Sequence, residues 1–159
     1  DLMAHTRKAA RVVTIHDLAF LRAPEGLPKK WVADRQKLVP PSARRAHRVI
    51  TVSEFSKRDI VEHFQIDPDR IQAIYHGISP GLEPPKDPQA DRIRIGERYG
   101  VKENFVLYLG TLQPNKNIEG LCAAFQIMKQ QGYSGKLILA GAQGWLFEEM
   151  WQRICKRQH

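Results

Sequence analysis

Residues 48–78, RVITVSEFSKRDIVEHFQIDPDRIQAIYHGI, constrain the fold more than any other segment, because they read as strand, helix, strand without interruption. Val49 to Val52 is an apolar and β-branched run, and such runs bounded by turn residues form buried strands. Ser53 follows at the position where a serine hydroxyl can accept from a free N–H of a helix's first turn. Ile60, Val61 and Phe64 then recur at helical spacing and share a face. Asp67 and Pro68 predict a turn, and Ile71 to Tyr75 a second short strand that ends at His76 and Gly77. Strands joined by a helix pair in parallel, and a parallel sheet is covered by helices. The fold class this implies is α/β.

The same alternation continues on both sides. RVVTIHDLAF predicts a strand from Val12 to Ile15 with His16 and Asp17 at its exit. Leu27 to His47 has helical propensity, with Pro28 where a first-turn proline is tolerated, and Pro40 and Pro41 predict a break or kink. Further on come a strand Phe105–Leu109, a helix Ile118–Gln131, a strand Lys136–Ala140 and a helix Trp145–Lys156. Leu121, Phe125 and Met128 form one apolar stripe there, and Leu146, Met150 and Ile154 another. From Ser79 to Gly100 the composition shifts to prolines and charges, which reads as a linker with a short helix around Arg92 to Tyr99. The organisation expected is therefore two α/β units, one on either side of this linker.

Charge and cysteines narrow the function class. A net charge of +8 and a pI near 9.7 raise nucleic acid, anionic membrane and phosphorylated ligands as partners. The basic residues lie in short scattered groups, such as Lys29–Lys30 and Arg44–Arg45, without interleaved aromatics, a distribution that weakens a nucleic-acid groove. Cys122 and Cys155 each sit in an apolar helical pattern with no paired or metal-ligand spacing, and read as buried free thiols of a reducing compartment. No run approaches the ~18 apolar residues of a membrane span, and the first residues show no signal-peptide pattern.

The stretch FVLYLGTLQPNKN, residues 105–117, carries the chemistry. Its apolar strand stops at Gly110, passes a polar turn, and sets Lys116 between Asn115 and Asn117. Ligands of parallel α/β sheets sit beyond the carboxyl ends of strands, where the unpaired N–H groups of the next helix favour an anion. Asn115 or Asn117 is placed to cap that helix, with Lys116 directed outward at the same anion. A helix terminus contributes about 0.3–1 kcal/mol, whereas a lysine about 4 Å from a phosphate charge contributes on the order of 4 kcal/mol at an effective dielectric of ~20. Lys116 would dominate such a site. The spacing matches neither of the two common glycine-rich nucleotide loops, so a plain surface lysine remains the alternative at this point.

TIHDLAFLRAPEG, RAHRVITVSEFSKRDIVEHF, RIQAIYHGI, YLGTLQPNKNIEGLCAAF and KLILAGAQGW, in that order, resemble successive motifs of glycosyltransferase family 4, the large retaining family of GT-B fold. The resemblance spans nearly the whole chain. It implies parts of two Rossmann-like domains: residues 1–79 as the later part of the acceptor-binding domain, 80–103 as the interdomain linker, and 104–159 as the early part of the nucleotide-sugar domain. The family's upstream glycine-rich loop and its downstream E-x7-E segment have no counterpart here, so the resemblance implies a chain truncated at both ends.

The implied activity is metal-independent retaining transfer of a hexose, such as mannose or glucose, from a nucleoside diphosphate sugar to a hydroxyl acceptor in glycan or glycolipid synthesis. No cofactor and no metal are implied. Gly110, Thr111 and Lys116 match the family's donor loop, with the lysine on the diphosphate, while Asn115 stands where an arginine is frequent and leaves that grip more dependent on Lys116. His16 matches a histidine that faces the cleft and contacts the transferred sugar; a strand-end cap is its other reading. Asp17 is expected to brace the following loop, and His76–Gly77, where relatives often have Asn-Gly, to make a turn. The implied partners are a nucleotide-sugar donor and a glycan or lipid-linked acceptor, with no nucleic acid. The implied location is the cytoplasm, extending to peripheral association with the inner membrane face. A non-catalytic nucleotide- or anion-binding module is the rival reading, and the 159 residues alone are expected to be inactive.

Overall fold

The computed structural model describes residues 9–101 and 103–156, and divides into two compact units, Asp1–Ile78 and Ser79–His159. In the first unit, β1 (Val12–Thr14), β2 (Arg48–Thr51) and β3 (Ile71–Ala73) form a parallel sheet in that order. Val13 pairs with Val49, and Val49 with Ile71. The helices are α1 (Ala19–Arg22), α2 (Lys29–Arg45) and α3 (Glu54–Phe64). Ser53 caps α3 as its sequence position predicts, its Oγ accepting from Ser56 N at 3.0 Å. The spacing of Ile60 and Phe64 places both in the core with Val49, Ile71, Ile15 and Phe20, and each such side chain contributes about 1.5–3 kcal/mol when fully buried.

Two expectations are revised here. Helix α2 passes through Pro40 and Pro41 without a break. The prolines remove two ladder donors, but the turn after them is fixed by burial of Ser42 and Ala43 in the core and by Ala46 N donating to Ser42 O at 3.0 Å. Tertiary packing therefore outweighs the local preference. The turn expected at His76–Gly77 is also displaced. The chain leaves β3 with Ile74 N still donating to Thr51 O at 2.8 Å, and its first assigned turn is Pro80–Gly81, where Gly81 supplies a φ of 89°.

In the second unit, α4 (Pro88–Tyr99) occupies most of the proline-rich segment. Asp87 starts it by accepting from Gln89 N and Ala90 N, both at 3.0 Å, with Pro88 in the first turn where its missing N–H is harmless. Strands β4 (Phe105–Leu109) and β5 (Lys136–Ala140) pair in parallel from Phe105↔Lys136 to Leu109↔Ala140. They alternate with α5 (Ile118–Gln130) and α6 (Phe147–Lys156). One sheet face, through Tyr108 and Leu139, packs on Ile118, Met150 and Ile154. On the other, Phe105, Leu107 and Leu109 are exposed.

The two helical stripes are only partly used. Met150 and Ile154 are buried, Leu121 and Phe125 half-buried, and Met128 and Leu146 exposed, because two strands present too little sheet to cover them. The cysteines depart from expectation in the same way, Cys122 being half-buried and Cys155 exposed. The architecture is α/β with parallel strands flanked by helices, Rossmann-like in each unit. Among the described residues no helix is long and apolar enough to cross a membrane.

Candidate functional site

In the first unit, the ladder positions His16. Ile15 N donates to Ile50 O at 2.8 Å, so His16 is the first residue beyond the paired part of β1, and its side chain is exposed. Asp17 braces the next segment as predicted, Oδ1 accepting from Ala19 N at 2.8 Å at the start of α1. His76 lies two residues beyond Ile74, the last ladder donor of β3. The two imidazoles stack, with ring centroids 5.7 Å apart and planes 23° from parallel. Sequence reasoning treated them separately. The signal that joins them is that each follows a strand flanking β2, at the same end of one parallel sheet. Beside His16 opens a cleft of about 200 Å³ lined by Asp17, Phe20, Trp31, Arg35 and Ser42 among others, with the Arg35 guanidinium carbon 5.1 Å from the Trp31 ring centre.

In the second unit, Gly110, Thr111, Asn115 and Lys116 all lie in the loop from β4 to α5. Gly110 N donates to Ala140 O at 2.9 Å and Leu112 N to Ala142 O at 2.8 Å, so this loop and the one after β5 run side by side past the sheet. Their contact is too close for side chains: a Cβ on Gly141, whose φ is 153°, would lie 1.9 Å from the Gly110 carbonyl oxygen. The Tyr108 hydroxyl donates to Thr111 O at 3.0 Å and holds the loop from below. Pro114–Lys116 forms a short 3-10 turn that leaves the Lys116 side chain exposed.

Neither asparagine caps α5 with its side chain. Asn117 takes the left-handed conformation, φ 53° and ψ 39°, at the N-cap position and makes no side-chain cap. Its amide instead overlies Gly120, where a Cβ would be 2.6 Å from Asn117 Oδ1. Asn115 sits inside the 3-10 turn with Oδ1 buried and unpartnered. No asparagine side chain therefore closes the start of α5, next to Lys116.

One carboxylate–histidine cluster that sequence reasoning missed lies elsewhere. Asp59, Glu62 and His63 bring ligand-type atoms within 4.8 Å of one another, which their spacing along one turn of α3 foretells. Asp59 is already held by Arg22, at 2.5 and 3.2 Å, and those hydrogen bonds keep its carboxyl below the usual carboxylate range against the opposing effect of burial. His63 Nδ1 contacts Asp59 O at 3.0 Å. The cluster is a brace between α1 and α3. Asp67 and Asp69, two apart, likewise form their own turn, Asp67 Oδ1 accepting from Asp69 N at 2.9 Å.

Comparison with known proteins gives a consistent picture. The profile of Glycosyltransferase Family 4 matches residues 2–82, about half of the chain. An O-antigen chain mannosyltransferase B of Escherichia coli is 32% identical over 145 residues, 90% of this chain and 38% of the relative. An O-antigen chain mannosyltransferase of Salmonella typhimurium is 28% identical over 108 residues, 68% of this chain and 26% of the relative. A serotype-specific mannosyltransferase of Escherichia coli is 27% identical over 85 residues, 53% and 10% respectively. The chain thus spans well under half the length of each of these. With that profile match and the parallel α/β units in place, the chain belongs to glycosyltransferase family 4.

Proposed function

We propose that the protein transfers a hexose, with retention of configuration, from a nucleoside diphosphate sugar to a hydroxyl acceptor in glycan or glycolipid synthesis. The observation that carries this reading is the uncapped N-terminus of α5 beside exposed Lys116, at the carboxyl end of parallel strands. Names of three relatives as mannosyltransferases favour mannose over glucose. In this reading the first unit serves the acceptor and the second the donor, with the proline-rich segment between β3 and β4 connecting the two roles. The partners are the nucleotide sugar and a glycan or lipid-linked acceptor. The place of action is the cytoplasm, at the inner membrane face where the acceptor is lipid-linked.

The step is a same-face displacement. A bond forms between the acceptor oxygen and the anomeric carbon as the bond from that carbon to the diphosphate oxygen breaks. The acceptor proton passes to the departing diphosphate. Lys116, with the positive end of the α5 dipole, neutralises the charge that grows on the leaving group, and a contact that strengthens along the reaction lowers the barrier. His16 steadies the transferred sugar. The step draws on no metal and no cofactor, and the acidic cluster on α3 has its central carboxylate committed to Arg22.

Lys116→Ala in the intact protein tests this. Turnover should fall on the order of 100-fold or more while donor binding weakens much less, the signature of a contact made mainly in the transition state. Unchanged turnover would remove Lys116 from the mechanism. Nucleotide-sugar binding without transfer to any acceptor would favour a binding module instead.

A further inference from the structure

We infer that His76 is a positioning residue, whose ring fixes the orientation of the His16 imidazole at the end of the first unit's sheet. The idea rests on the proposed role of His16 for its catalytic consequence, and on geometry alone for the positioning itself.

Backbone spacing makes the pair informative. In the sheet order, β2 lies between β1 and β3, so the strands that lead to His16 and His76 are two spacings apart, about 9–10 Å. The ring centroids are nevertheless 5.7 Å apart and only 23° from parallel. The two rings are therefore in contact although the strands that lead to them are not neighbours. Both anchors are firm: Ile15 N donates to Ile50 O and Ile74 N to Thr51 O, each at 2.8 Å. An exposed histidine on a strand exit is otherwise free to rotate about both side-chain bonds, since nothing at its tip selects a rotamer. A stacked ring restricts that freedom and leaves one face and edge of His16 presented outward. Pre-organisation of this kind raises the fraction of molecules holding the group in productive geometry. Ring-on-ring stacking does not require an imidazole at residue 76; any flat aromatic ring supplies the contact.

The test compares His76→Ala with His76→Phe in the intact protein, labelled with 13C at the histidine ring Cε1. In the wild type, the His16 ring signal should carry a ring-current displacement and a through-space contact to His76. His76→Ala should abolish both, and His76→Phe should retain the displacement. In transfer assays His76→Ala should lower kcat by about 10-fold with KM for the nucleotide sugar little changed, and His76→Phe should recover most of that loss. A His16 signal unmoved by His76→Ala would overturn the proposal, as would a His76→Phe protein as impaired as His76→Ala, which would assign the imidazole itself a chemical task. Full activity in His16→Ala would instead overturn the role given to His16 in transfer, while the ring signals would still decide whether His76 positions it.

Discussion

At Gly141 a single methyl group meets main chain on one side and a disfavoured backbone angle on the other. The Cβ of Gly141→Ala would fall 1.9 Å from the Gly110 carbonyl oxygen, at a φ of 153°, and neither atom is a side-chain tip that can swing away. We expect a loss of about 1–3 kcal/mol in urea unfolding of the intact protein, with the loop bearing Lys116 displaced. Thr51 predicts the opposite sign. It is fully buried in the first unit and its Oγ1 has no hydrogen-bond partner, and an unsatisfied buried hydroxyl is unfavourable by about 1–3 kcal/mol. Thr51→Val keeps the shape and should raise the unfolding midpoint; a clear loss of stability would show that the hydroxyl is satisfied after all. The thiols differ in the same local way. Burial, then the nearby Glu119, pushes the Cys122 thiol up from its ordinary value, whereas Cys155 is exposed. Alkylation at mildly alkaline pH, followed by peptide mass analysis, should label Cys155 well before Cys122.

At the scale of elements, the short helix α1 depends on a charge. Four residues make a weak helix alone, and α1 is tied to α3 by Arg22 on Asp59, with Glu62 at 3.7 Å from the same guanidinium. Because the Asp59 carboxyl is lowered in the folded protein by Arg22, its contribution is present above the ordinary aspartate range near pH ~4. It is lost as pH falls through the lower folded value. Arg22→Leu should therefore lower the melting temperature at pH 7, and the gap from wild type should close on acidification below pH ~4; a gap independent of pH would mean that Arg22 acts by packing. The same element shows what sequence could disclose. Strands β1, β2, β4 and β5 and helices α3, α5 and α6 were legible because apolar periodicity and turn residues agree there. The continuity of α2 through Pro40 and Pro41 was not, since burial of Ser42 and Ala43 depends on partners distant in the chain. The loop from β4 to α5 was legible as a loop with one lysine. The Asn117 backbone, the Gly110–Gly141 contact and the pairing of His16 with His76 were not, because each is fixed by a neighbouring segment rather than by its own residues.

For the whole molecule, the uncovered face of the second sheet governs behaviour in solution. Phe105, Leu107 and Leu109 point to one side of β4, exposed at 39%, 53% and 79%, and the register sets Ile138 and Ala140 of β5 beside the last two. Parallel sheets are ordinarily covered on both faces, and a contiguous exposed apolar patch drives association. Packing on the other face rests, among the described residues, on three buried side chains, Ile118, Met150 and Ile154, a small core for a unit with two strands. We therefore expect the 159-residue chain in isolation to self-associate, with a sedimentation mass above the monomer's 18.2 kDa at micromolar concentration and a broad thermal transition. Leu107→Lys combined with Leu109→Glu should return it towards monomer without changing the far-ultraviolet spectrum, because neither side chain belongs to the packed face. The same isolated chain should attract nucleotide sugar weakly through Lys116 but not turn it over, since it spans only 38% of its Escherichia coli mannosyltransferase relative and positioning both substrates needs contacts beyond one loop and one histidine. A monomer with a sharp cooperative transition and measurable transfer would show that these two units are sufficient by themselves, and that the face of β4 is tolerated in water.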